Sequence, residues 1–338
     1  MLATTLHDIR TISFTEMPDP VIKLPTDAIV KVIASCICGS DLWPYRGENG
    51  PIDGARTIGH ECLGEVVEIG ADVRGFQVGD RVIVPFDHCD NTCPHCLAGF
   101  QSVCENVGFT TSGQAELTRV TQADGTLVRL PETDDALLPH LLTLSDVFPT
   151  GFHAATSARV SAGDTVVVVG DGAVGLLGVL SAKLLGAERI IAMSRHEPRQ
   201  KLARAFGATD IVAARGAEGE AEVAELTRGL GADAVLECVG TGAAMDTAFT
   251  VARPGAMVGF VGAPHGVTLP VRQMFDKNVG LFGGMAPVRR YVPELLPLVL
   301  DGTARPGLVF DSVLPMSQAA EGYRQMDERE AIKVFLQP

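Results

Sequence analysis

Four cysteines crowd one short loop. "FDHCDNTCPHC" runs from Phe86 to Cys96, and Cys104 follows, so the pattern is Cys89-x3-Cys93-x2-Cys96-x7-Cys104. Thiolates this close together suit a tetrahedral structural zinc ion. The first gap is one residue longer than Cys-x2-Cys, and Asp90 stands where the shorter spacing would put a ligand. Either Cys89 reaches in through a small bulge or Asp90 is the fourth ligand; His88 and His95 are also nearby. Four protein ligands leave no open coordination position, so such a site would not host a reaction. A second set is scattered: "CICGSD" (Cys36–Asp41) and "GHECLG" (Gly59–Gly64) supply Cys38, His60 and Glu61. A catalytic zinc needs about three protein ligands and one open position. Taken singly, Cys36, Cys38 and Cys62 read equally well as buried thiols, and His60 as a satisfied core histidine.

A third group points to a nucleotide. "GDGAVG" (Gly170, Asp171, Gly172, Ala173, Val174, Gly175) fits G-x-G-x-x-G. It follows an expected strand and opens an expected helix, the context that makes the hexapeptide informative. Gly170 permits the tight turn, Gly172 lets the backbone approach a pyrophosphate, and Gly175 allows close strand–helix packing at a helix N-terminus. An acid about 20 residues further on would bind the ribose 2′-OH of NAD. After the strand Arg189–Met193 the chain reads "SRHEPRQ", with Ser194 and Arg195 in that place. A hydroxyl and a guanidinium would hold a 2′-phosphate that a carboxylate would repel. The expectation is NADP, with NAD as the alternative because Glu197 follows a few residues late. Arg215 is a second candidate cation.

The bulk composition narrows the classes. The 338 residues carry a formal net charge of −14, which argues against nucleic acid or an anionic membrane as partner. The beginning, "MLATTLHDIRTISF", lacks the basic start and apolar run of a signal peptide. No stretch approaches the ~18 uninterrupted apolar residues of a membrane span. A cytoplasmic protein is expected, in which clustered cysteines lean towards metal rather than disulfides.

The elements that must position these groups change character along the chain. Up to about Thr150, runs such as "AIVKVIAS" (Ala28–Ser35), "GEVVEIG" (Gly64–Gly70) and "DRVIVPF" (Asp80–Phe86) predict an all-β body, and Gly70–Val82 reads as two turns separated by brief extended segments. From about Gly163, strands and helices alternate. Strands are expected at Asp164–Gly170, Arg189–Met193, Asp210–Ala213, Asp233–Cys238 and Ala256–Gly262. Helices are expected at Ala173–Ala187, Pro198–Phe206, Gly219–Arg228 and Ala243–Ala252. The strands are continuously apolar, which implies a parallel sheet covered on both faces.

Together these motifs resemble the zinc-dependent alcohol dehydrogenases of the medium-chain dehydrogenase/reductase superfamily, over essentially the whole chain. "CICGSD" resembles the family's first zinc-ligand segment, and "GHECLGEVVEIG" (Gly59–Gly70) its G-H-E-x2-G-x5-G signature. The cysteine loop resembles its structural-zinc lobe, and "VVVVGDGAVG" its nucleotide turn. The resemblance implies an α/β protein with a GroES-like β-rich catalytic domain at 1–150, completed by 285–338. A Rossmann domain with a doubly wound parallel sheet would occupy 151–284. It also implies that Cys38 and His60 ligate the catalytic zinc, with Glu61 beside the metal, ligating in some states. In "LSDVFPTGFHAA" (Leu144–Ala155), Asp146 takes the place of the usual third-ligand Cys, as in the bacterial NADP-dependent secondary-alcohol branch. A carboxylate is a valid, harder zinc ligand.

Further roles follow from the same resemblance. Ser40 would receive the substrate's proton, and Asp41 would orient the ring of His60. Trp43 stands where many relatives carry a proton-passing His, so the relay from Ser40 must leave by another route. Thr150, Val261 and Phe282 would line the nicotinamide, and Lys333 would approach the pyrophosphate. The reaction would lie in a cleft between the two domains and take a small alcohol or carbonyl compound, the enzyme being a homo-dimer or homo-tetramer. Polyol and formaldehyde- or glutathione-linked dehydrogenases are near variants. Zinc-free quinone and enoyl reductases lack the Cys/His/acid set, and a non-catalytic nucleotide-binding protein would not need it.

Overall fold

A computed structural model describes all 338 residues, Met1–Pro338. The chain divides into two compact units, Met1–Pro149 with Pro287–Pro338, and Thr150–Ala286.

The first unit is built on a seven-stranded sheet. Its strands run in the order Val128–Arg129, Arg81–Val84, Cys62–Ile69, Ala28–Cys36, Val334–Gln337 and Ser312–Pro315, with Leu117–Val120 also pairing Ala28–Cys36. Pairing is antiparallel except between Ser312–Pro315 and Val334–Gln337. Val30, Val32, Val66, Val82 and Val84 pack into one buried cluster. Each such side chain taken out of water contributes roughly 1.5–3 kcal/mol. A smaller sheet joins Thr11–Glu16, Leu2–Asp8 and Arg56–Thr57.

One expectation for this region is corrected. It is not all-β: a series of short helical turns between Asp135 and Ser145 leads into the helix Val147–Ser157. Gly70–Val82 carries turns at Ala71–Asp72 and Val78–Gly79, as read from the sequence, with no strand before Arg81. Part of its backbone is satisfied by carboxylates rather than by a strand ladder: Arg74 and Gly75 N–H donate to Asp124, and Gln77 N–H to Asp80.

The second unit is a six-stranded, wholly parallel sheet. Its order is Asp210–Val212, Arg189–Met193, Thr165–Val169, Ala232–Glu237, Ala252–Phe260 and Gly280–Gly283. Chain order runs outward from Thr165–Val169 to one edge, then returns to build the other side. The switch point therefore lies between Thr165–Val169 and Ala232–Glu237, where open α/β sheets bind ligands beyond their carboxyl ends. Val167, Ile191, Val235 and Val258 fill the core beneath the helix Gly242–Val251. The helix Ala173–Leu184 stops three residues short of the expected Ala187, because Gly186 takes a left-handed φ of +90°. No helix is long and apolar enough to cross a membrane.

Candidate active site and metal centres

The strand Ala28–Cys36 ends at a single helical turn, Gly39–Asp41, and Cys38 caps it. Cys38 N–H donates to Asp41 Oδ2 at 3.0 Å, which aims the other carboxylate oxygen, Oδ1, at His60 Nδ1, 3.1 Å away. Gln114 Nε2 also donates to Asp41 Oδ2 at 3.3 Å and to the Cys36 carbonyl at 3.1 Å, and Tyr323 Oη donates to Gln114 Oε1 at 3.1 Å. This buried network fixes the His60 ring. The turn needs a glycine before His60. Gly59 has φ +87°, and a Cβ there would come within 2.3 Å of Gln114 Cγ.

With Nδ1 facing Asp41, His60 Nε2 faces Asp146 Oδ2 at 3.2 Å, and Cys38 Sγ lies 3.5 Å from the same oxygen. Asp146 sits at the kink between the turn Thr143–Ser145 and the helix Val147–Ser157, with φ −159° and ψ −75°. Glu61 completes the group: ligand atoms of Cys38, His60, Glu61 and Asp146 all lie within 4.8 Å of one another. Burial alone would push His60 towards its neutral form, but the negative charges of Asp41 and Cys38 hold its pKa well above the ordinary range. The same surplus of acceptors would hold a divalent cation. The Asp146 oxygen lies 3.2 Å from the imidazole nitrogen and 3.5 Å from the thiol sulfur, spacings that suit neighbouring ligands of a tetrahedral zinc. Ser40 is exposed at the rim, its Oγ 3.4 Å from His60 Nε2, and Phe86 meets the ring edge-on.

Lys333 corrects an expectation. It does not present itself to a pyrophosphate: its side chain is wholly buried, with Nζ donating to Glu61 Oε1 at 2.6 Å and to the Ile37 carbonyl at 3.1 Å. Burial opposes its charge, but Cys36 and Glu61 hold its pKa well above the usual lysine range. Glu61 Oε2 has no hydrogen-bond partner. Glu61 thus has one oxygen on lysine and one left for the cluster.

In the cysteine loop the structure groups Asp90 with Cys93, Cys96 and Cys104, ligand atoms again within 4.8 Å. Cys89 Sγ turns instead towards the Gly125 carbonyl, 3.5 Å away. Burial pushes the Asp90 carboxyl up, but Thr92 N–H, Cys93 N–H and Asn106 Nδ2 all donate to it and hold it well below the carboxylate range. Backbone N–H groups of Asp90 and Asn106 point at Cys104 Sγ at 3.3 Å. No disulfide forms. His88 is engaged elsewhere, between Thr110 and Thr121, and burial pushes its pKa down to about 3. His95 is exposed.

At the glycine turn, Gly170 has φ +115°, Gly172 caps the helix that Ala173 and Val174 begin, and a Cβ on Gly175 would lie 2.1 Å from the Gly170 carbonyl oxygen. Nothing stands within 4 Å of where a Cβ on Gly172 would be, so the turn is open to an incoming phosphate group. Arg195 is exposed; Arg215, also exposed, caps the helix Gly216–Leu226. Ser194 is only 2% exposed and donates its hydroxyl proton to Asp171 Oδ2 at 2.9 Å, so it offers no donor to a 2′-phosphate. Glu197 pairs with Lys201. Thr150 is buried in the helix Val147–Ser157, Val261 donates its N–H to the Glu237 carbonyl at 2.9 Å, and Phe282 on the edge strand is 48% exposed. Sequence reasoning missed Gln114, Tyr323 and Asp171. Only Asp171 carried a signal, as an acid inside the glycine motif.

A GroES-like unit bearing a Cys/His/carboxylate cluster, joined to a parallel nucleotide-binding sheet, defines a metal- and dinucleotide-dependent oxidoreductase. Residues 24–132 match the alcohol dehydrogenase GroES-like domain and residues 173–301 the zinc-binding dehydrogenase domain. A zinc-type alcohol dehydrogenase B of Aspergillus flavus is 34% identical, the match covering 99% of this chain and 81% of that protein. An NADP-dependent isopropanol dehydrogenase of Clostridium beijerinckii is also 34% identical, over 80% of each chain. Alcohol dehydrogenase TADH from Thermus sp. ATN1 superposes with a TM-score of 0.91 at 31% identity, covering 100% of this chain and 99% of that one. The chain belongs to the zinc-dependent alcohol dehydrogenases of the medium-chain dehydrogenase/reductase superfamily. It is an enzyme, an oxidoreductase of the zinc-type alcohol dehydrogenase class.

Proposed function

We propose that this enzyme interconverts a small alcohol and its aldehyde or ketone with NADP as the partner, using a zinc ion held by Cys38, His60 and Asp146, with Glu61 in reserve. The observation that carries the reading is the convergence of those side chains, drawn from three separate segments, on one point. Bound there, zinc would supply Lewis acidity to the substrate oxygen, while the nicotinamide would exchange hydride with the substrate carbon.

The chain's own residues do the rest. Asp41 holds the His60 ring so that Nε2 faces the cluster. Ser40, exposed and 3.4 Å from that nitrogen, is the hydroxyl placed to take the alcohol's proton and pass it to solvent. Lys333 compensates the charge of Glu61 and restrains it from crowding the open position. Asp90, Cys93, Cys96 and Cys104 would hold a second, structural zinc ion, since four ligands saturate it.

The preference for NADP is supported by the exposed Arg195 and by the lack of an acid at the end of the strand Arg189–Met193. A relative named as NADP-dependent, similar over most of its length, agrees with it. The eight free thiols suit the reducing cytoplasm. A homo-dimer or homo-tetramer would cover the exposed Val271 and Phe275 of the helix Val271–Lys277 and Phe282 of the edge strand. The test is a panel of primary and secondary alcohols assayed in parallel with NADP and NAD, following the absorbance of reduced cofactor. Turnover with NADP that stops on chelation and returns with zinc supports the reading; a strong NAD preference overturns its cofactor part, and no turnover of any alcohol or carbonyl overturns the whole.

A further inference from the structure

The glycine turn and the end of the neighbouring strand are joined by a carboxylate. Asp171, between Gly170 and Gly172, is 8% exposed. Its Oδ2 accepts the Ser194 hydroxyl proton at 2.9 Å. Arg199, in the first turn of the helix Glu197–Phe206, brings Nη1 to 3.4 Å from Asp171 Oδ1 and donates to the Asp171 carbonyl at 3.2 Å. The Arg199 side chain is itself largely buried. Gln200 Nε2 donates to the Ser194 carbonyl at 2.8 Å, which ties the segment 194–200 to itself.

A free carboxylate at this place is what recognition of NAD calls for: it would accept the ribose 2′-OH and repel a 2′-phosphate. Asp171 is not free. One oxygen is taken by a hydroxyl and the other faces a guanidinium, so the pair is neutral, and the exposed Arg195 adds a positive charge next in sequence to Ser194. The bonds of Arg199 run through Nη1, which leaves Nε and Nη2 as donors in the fixed fork that suits phosphate.

We propose that Asp171 and Arg199 form the cofactor-selecting pair of this enzyme: Arg199 neutralises the buried acid, withdraws it from the ribose 2′-OH, and offers its remaining N–H groups, with Arg195, to a 2′-phosphate. The inference rests on the NADP reading above and names the residues that carry the preference.

Binding calorimetry on the purified zinc-loaded protein tests it without turnover, with adenosine 2′,5′-bisphosphate and 5′-AMP as probes. Wild type binds the bisphosphate more tightly than 5′-AMP. Arg199→Gln weakens the bisphosphate by ~10–100-fold, the range of a lost charge-assisted hydrogen bond with an uncompensated acid left behind, and hardly changes 5′-AMP. Adding Asp171→Asn to Arg199→Gln restores ~10-fold or more, because the bare carboxylate is gone. A double variant no better than Arg199→Gln would reduce Arg199 to scaffolding and overturn the pair, as would an unchanged Arg199→Gln. Where Arg199→Gln does not fold, Asp171→Asn alone decides: it binds the bisphosphate at least as well as wild type, and a loss overturns the proposal. The two readings fail separately. Equal binding of both probes by wild type defeats the NADP reading itself, whereas a preference abolished by Arg195→Gln but kept by Arg199→Gln defeats only the pair.

Discussion

Lys333 Nζ lies 2.6 Å from Glu61 Oε1, and neither side chain has any exposed surface. A charge pair so deep is stable only while both partners remain, because each charge alone would pay its full desolvation cost. Lys333→Met is therefore expected to cost ~3–5 kcal/mol of unfolding free energy. The double variant Lys333→Met/Glu61→Gln should recover much of that, since the orphaned carboxylate is removed. Urea unfolding of the two variants checks this; a double variant as unstable as the single one would contradict the compensating role.

Asp41 acts through His60. Its carboxylate, held by Cys38 N–H and Gln114, faces His60 Nδ1 at 3.1 Å. Asp41→Asn should lower affinity for the catalytic zinc by ~10–100-fold, measured by competition with a chromophoric chelator. Gln114→Leu, which removes a support of Asp41, should move affinity the same way by less.

The cysteine loop separates Asp90 from Cys89. Asp90→Ala or Cys93→Ser should release one zinc ion per chain and lower the melting temperature, because a structural site contributes folding energy directly. Cys89→Ala should leave the zinc content unchanged, since its thiol donates to the Gly125 carbonyl and falls outside the group of converging ligand atoms. Loss of zinc in Cys89→Ala would restore Cys89 as the fourth ligand.

His140 gives a pH dependence away from either metal cluster. Its Nδ1 accepts Gly307 N–H at 2.9 Å, and burial, then the charge of Arg305, depress its pKa below the ordinary 6.5. As pH falls, the unfolded chain takes this proton first. The contribution is thus fully present above pH 6.5 and is lost as pH drops below it towards the depressed folded value. The stability difference between wild type and His140→Gln should shrink over that window; a difference independent of pH would contradict the assignment.

How much of this was legible follows from range. The strands Arg189–Met193 and Thr165–Val169 announce themselves as unbroken apolar runs, since both faces of the sheet are covered. The zinc set was visible only through resemblance: Cys38 and Asp146 are 108 residues apart, and nothing local links a thiol near the start to an acid after Leu144. Lys333 and Glu61 are 272 residues apart, and their meeting depends on Val334–Gln337 pairing with Ala28–Cys36. Range also hides the partner of Ser194, whose hydroxyl donates to Asp171, 23 residues away.

Cys38, His60 and Asp146 are expected to share one zinc ion. Elemental analysis of zinc-saturated protein after exhaustive dialysis tests this most directly, in wild type, His60→Ala and Asp146→Ala. Two zinc ions per chain in wild type, one for each cluster, and one in each variant is the expected result. Two ions retained in both variants would show that His60 and Asp146 do not hold the metal.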